Sequence, residues 1–64
     1  SMATRDDNVQ AKASKELGLL QAKGYDRDGI RRYAAAMKSH CVRDSEDWDA
    51  WGTIVAAPLP TGSV

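Results

Sequence analysis

A chain of 64 residues with zero formal net charge and 42% hydrophobic content is one domain at most, and a domain of that size buries only about 60% of the surface its unfolded chain exposes. Cys41 is the single cysteine, which excludes an intrachain disulfide, and with His40 as the single histidine there are too few soft ligands for a structural metal. Self-association or a protein partner is the expected supplement to so small a core.

No apolar run approaches the roughly 18 residues of a membrane span, and no basic-then-apolar leader opens the chain. A lone thiol fits a reducing cytosol, so a cytoplasmic protein without a membrane segment is expected. Ser1 before Met2 reads as a remnant of tag removal. The neutral sum conceals a gradient: residues 1–24 carry +1, residues 25–43 carry +3 and residues 44–64 carry −4. Compensation of the basic and acidic blocks within one fold, or between protomers, is the simplest account.

The first helix is predicted over residues 5–23. Thr4 or Asp6 is placed to cap it, Asp6 and Asp7 suit the positive end of its dipole, and Gly24 supplies a left-handed stop. Val9, Ala13, Leu17 and Leu20 share one face. On the other side Ala11, Ser14, Gly18 and Ala22 form a strip of small residues with Leu19 beside it, a candidate second contact surface.

The short turn Gly24-Tyr25-Asp26 makes the first two helices neighbours. The second helix, predicted over residues 26–41, reads as the central one of three. Asp26 is its N-cap, Asp28 adds charge favourable to the dipole, and Tyr25 and Ile30 have the spacing of a hydrophobic staple. Gly29 weakens the first turn. At 100° per residue Ile30, Tyr33, Ala34, Met37 and Cys41 gather on a core face, Arg27, Arg31 and Lys38 line an adjacent flank, and Arg32 points away from both.

After Cys41 the pattern breaks, and Asp44 or Ser45 caps a third helix predicted over residues 45–56, with Glu46 and Asp47 in its first turn. Trp48, Trp51 and Val55 share a face with Ile54 at its edge, and the two tryptophans are the largest expected contribution to the core. Gly52 followed by Thr53-Ile54-Val55 weakens this helix, and Pro58 and Pro60 end it. Residues 58–64 read as a tail, with Leu59 able to fold back on the tryptophans.

No catalytic constellation is expected. Ser39, His40 and Cys41 adjoin in sequence but diverge around a helix, and His40 is placed at the edge of the core face as a structural, partly buried ring. Asp26-Arg27-Asp28-Gly29 has a fragment of a calcium-loop pattern, but Gly24 and Ala35 stand where the first and last oxygen ligands are required. No glycine-rich strand-to-helix turn for a nucleotide occurs.

Leu20, Gly24, Tyr25, Ile30 and Tyr33 have spacings similar to a helix-turn-helix, whose second helix would present Arg27, Arg31, Arg32 and Lys38 to DNA. The pattern departs at Leu20, where a small residue allows helix crossing, and at Lys23, where an apolar one is expected. Asp26 and Asp28 put negative charge at the end that must face phosphates. The acidic stretch from Asp44 to Trp51 is read first as a core helix with a charged start. It also has the make-up of a recognition segment whose tryptophans anchor and whose acids steer a basic partner.

The sequence therefore predicts an all-α, small three-helix domain over residues 1–57 with a short proline-containing tail at 58–64. The expected function is a non-enzymatic protein-interaction or regulatory module, acting as a homodimer or on a larger partner. Its expected contact residues are Leu19, Arg27, Arg31, Arg32, Lys38, Asp47, Trp48, Asp49 and Trp51, with no cofactor and no small-molecule substrate. The alternative is a helix-turn-helix DNA-binding regulator using residues 26–41.

Overall fold

The computed structural model describes residues 2–59, which form α1 (Arg5–Ala22), α2 (Arg27–Ser39) and α3 (Glu46–Ala56) without any strand among the described residues. The three-helix, all-α expectation holds. The readings made for Ser1 and for residues 60–64 of the tail lie outside the described residues.

Each helix starts where a side chain takes up the unpaired N–H groups of its first turn. Thr4 Oγ1 accepts from the Asp7 N–H at 3.1 Å while the Asp7 carboxylate accepts from the Thr4 N–H at 3.1 Å, a capping box closed by aspartate. Asp26 accepts from the Gly29 N–H at 2.8 Å, and Ser45 from the Trp48 N–H at 3.1 Å. α1 ends as Gly24 requires: with φ 89° there, the Gly24 N–H donates to Gln21 O and the Tyr25 N–H to Leu20 O, the paired bonds of a Schellman stop. α2 ends at Ser39, two residues before the predicted limit, with His40 as C-cap. Cys41 therefore lies beyond the helix, half-buried, its Sγ donating to Met37 O at 3.2 Å. His40 is exposed, which corrects its placement at the edge of the core.

The turn into α3 holds one unusual residue, Asp44, at φ 66° in the left-handed region. A side chain there crowds its own carbonyl, and glycine does not. Asp44→Gly is expected to raise the urea midpoint, a gain of about 0.5 kcal/mol once the greater chain entropy of glycine is set against the relieved strain. A lowered midpoint would show that the turn needs the aspartate.

Val9, Ala13, Leu20, Ile30, Ala34, Ala50, Trp51, Ile54 and Leu59 make up the core, with Leu17, Met37, Cys41, Val55 and Ala57 partly buried against it. The central element is α3, a correction to the expectation that α2 would be. Both α1 and α2 pack extensively on α3 and only slightly on each other. The reason is that α3 is apolar on more than one side. Besides Trp51 it carries Ala50 and Ile54, each 1% exposed, four residues apart.

Past the end of α3 the chain continues into the core. Leu59 is 7% exposed, and its N–H donates to Ala57 O at 2.9 Å. α3 has no basic residue in its own last turn. The guanidinium of Arg31 reaches from α2 instead, donating to Ala57 O at 3.0 Å and placing positive charge at the negative end of the α3 dipole.

Candidate interaction surface

Most of the residues expected to meet a partner are engaged inside the chain. The acids of α3 turn to α1. Arg5 forks, one Nη donating to the Asp49 carboxylate and the other to Asp44 O at 2.6 Å, and Lys12 pairs with Asp47 at 2.7 Å. Two acids of the acidic block, Asp47 and Asp49, are thus paired within the fold, by α1 and not by the more basic α2.

Arg5 and Lys12 both hold their protons more tightly than usual, Arg5 chiefly through its hydrogen bond to Asp49 and Lys12 chiefly through its bond to Asp47. A base whose proton affinity rises on folding adds stability below its unfolded range and loses it as pH climbs through its folded value. These ties accordingly weaken in alkali. Both pairs stand largely in solvent, where such contacts contribute little.

The basic flank of α2 turns to α3. Besides the Arg31 bond to Ala57, the Nε atoms of Arg27 and Arg31 are buried without hydrogen-bond partners. The Lys38 ammonium lies 4.3 Å from the ring centre of Trp48. Gly52 makes this possible, because a Cβ at that position would stand 3.1 Å from Lys38 Nζ. Trp51 is a core residue at 4% exposure, whereas Trp48 is half-buried.

Of the expected contact residues, Leu19, 47% exposed, and Arg32 face solvent, and so does Asp47 despite its ion pair with Lys12. The small strip beside Leu19 is open, with nothing within 4 Å of a Cβ built on Gly18.

Two tyrosines that sequence reasoning assigned elsewhere are part-exposed as well, Tyr25 beside Arg32. Tyr25 is 40% and Tyr33 37% exposed. Their rings meet edge to face at 5.6 Å and 76°, and Tyr33 in turn leans on Trp51 at 5.8 Å. Three aromatic rings thus run from the core to the surface. Tyr25, expected to staple onto Ile30, closes over Gly29, where a Cβ would meet its ring at 3.4 Å. The tighter contact of such a Cβ would be with Asp26 Oδ1 at 3.1 Å, so the glycine that weakens the first turn leaves room for the capping carboxylate. A shallow depression beside Tyr25 is bordered by Lys23 and Arg32. The spacing Tyr25, Gly29, Tyr33 is the signal that marks this arrangement: an aromatic just before α2 and one within it, each four residues from a glycine.

The candidate nucleophiles turn away from the histidine. Ser39 Oγ donates to Ala36 O at 2.6 Å and Cys41 Sγ to Met37 O, so neither is bonded to His40. Among the described residues no group of three His, Cys, Asp or Glu side chains is placed to hold a metal ion. No helix among them is long and apolar enough to cross a membrane. Comparison of the chain with protein-family models, curated proteins and solved structures finds no match to any of them.

Proposed function

We propose that this chain is a non-enzymatic interaction or regulatory module of the cytosol, acting as a small homodimer or on a larger protein through the surface of Tyr25, Tyr33 and Arg32. The observation that carries this reading is the ring sequence Tyr25–Tyr33–Trp51, in which two part-exposed tyrosines are held in place by a buried tryptophan. Binding costs about 0.5–1.5 kcal/mol for each flexible side chain that must be immobilised. Rings already ordered by the core avoid much of that cost, and tyrosine offers a large apolar face with a polar tip. The bonds that turn Ser39 and Cys41 back onto helix carbonyls support the non-enzymatic part of the proposal.

A DNA-binding role for residues 26–41 draws less support, because Arg31 and Lys38 are directed at α3 and leave Arg32, which lies off the basic stripe, as the exposed one of the four cations that such a helix would present.

Sedimentation equilibrium across a wide concentration range tests the homodimer, which should show mass above 7.0 kDa that returns to the monomer in Tyr25→Ala/Tyr33→Ala. A photo-crosslinking phenylalanine at position 33, with position 8 as control, tests the larger partner. A strictly monomeric chain with no adduct specific to position 33 would remove the proposal.

A further inference from the structure

A groove of about 340 Å³ lies between the first turns of α1 and the middle of α3, and shares no residue with the tyrosine surface. Half-buried Trp48 gives it an apolar wall, Val9, 4% exposed, lies at its floor, and Gln10 and Thr53 line it with polar side chains. Its volume falls within the range of about 300–1,000 Å³ common among small-ligand sites. Of the two cations and two anions that line it, Arg5 and Asp49 are paired with each other, while Lys38 and Asp6 have no ion-pair partner among the described residues. Lys38 has the face of Trp48 as its counterpart, and no carboxylate or carbonyl among the described residues accepts from its ammonium. An ammonium has three N–H donors, and the ring face leaves them to solvent or to an oxygen brought by a ligand.

Gly52 holds this arrangement open. Without a side chain at that position, the Lys38 stem lies across α3 and its charged end stands at the groove wall, half-buried. A group that uses both features brings an anionic oxygen to Lys38 and an apolar portion to Trp48 and the edge of Val9. Asp6 and Asp49 also border the groove and repel a doubly charged anion such as phosphate more than a singly charged one.

We propose that this groove binds a single carboxylate carried on an apolar stem, with Lys38 holding the carboxylate and Val9 and Trp48 the stem. The same chemistry is offered by a free carboxylic acid and by the glutamate side chain of a partner peptide, and a titration followed by amide and indole NMR separates them. The probes are 3-phenylpropanoate, its neutral amide, inorganic phosphate, and the blocked peptide acetyl-Leu-Glu-Leu-amide. Saturable shifts of the Trp48 indole N–H and of the Gly52 and Thr53 amides are expected with 3-phenylpropanoate or the peptide. Whichever binds more tightly identifies the source.

A charge-assisted hydrogen bond should favour the acid over its amide by about tenfold or more in Kd. Lys38→Met keeps the stem, removes the charge and should abolish that preference, with its folding checked by the dispersion of the remaining amides. Equal binding of acid and amide, an undiminished preference in Lys38→Met, stronger shifts with phosphate, or no saturation with either carboxylate probe would overturn the assignment. Because the tyrosines lie outside the groove, Tyr25→Ala/Tyr33→Ala should bind the probe unchanged, so the failure of one reading is distinct from that of the other.

Discussion

Trp51→Ala is expected to leave most of the chain unfolded at 25 °C, read as loss of amide dispersion and of the cooperative urea transition. Removing a buried tryptophan costs about 3–5 kcal/mol when the cavity cannot collapse, which is about as much as a core of this size supplies in total. Collapse is obstructed here because Trp51 is 4% exposed between Ala50 and Ile54 on the helix that holds the other two, and because Tyr33 leans on its ring. The neighbouring indole gives the contrast. Trp48 is half-buried and meets the Lys38 ammonium, so Trp48→Ala should cost about 1 kcal/mol and leave a folded protein. Equal losses for the two tryptophans would mean that α3 is not packed as described.

The second large effect lies outside every helix. Leu59→Ala is expected to lower stability by about 2–3 kcal/mol, towards the small end of buried leucine truncations because the extended chain after Ala57 can adjust. Leu59 is buried to 7% exposure, and the segment that carries it is fixed by the bond from Arg31 to Ala57 O. Leu19→Ala is the control, since that side chain is 47% exposed and its loss should stay within about 0.5 kcal/mol. Urea midpoints of the two variants against the parent decide the matter, and an unchanged Leu59→Ala midpoint would detach the segment after Ala57 from the core.

The helix starts are legible in the sequence because capping chemistry is local: Thr4, Asp26 and Ser45 each act within three residues of themselves. Gly24 is legible for the same reason, its left-handed backbone being a property of one position. The identity of the central helix is not legible from the tryptophans alone, since they mark one side of α3. The pair Ala50 and Ile54 marks the rest, and a lone alanine on a short helix looks like a helix former and not a contact.

The basic stripe shows the same limit. A period of 3.6 residues places Arg27, Arg31 and Lys38 together, but says nothing about whether solvent or another helix lies opposite. The answer is at Gly52 and Ala57, on a different helix and just past its end, where one missing side chain admits Lys38 and one carbonyl receives Arg31. For the candidate surface, Arg32 and Leu19 are read correctly as facing solvent, while Tyr25 and Tyr33 are hidden by apolar character that suits a core equally well.

That α1 and α2 share little contact except through α3 sets the order in which the polypeptide can mature on the ribosome. Translation delivers the two outer rods first, and isolated helices of such lengths are marginal in water. Neither finds its lasting neighbour until the final third of the described residues has been made. The α2–α3 pairing closes the shorter loop and so has the kinetic advantage, leaving α1, the first made of the three, to dock last.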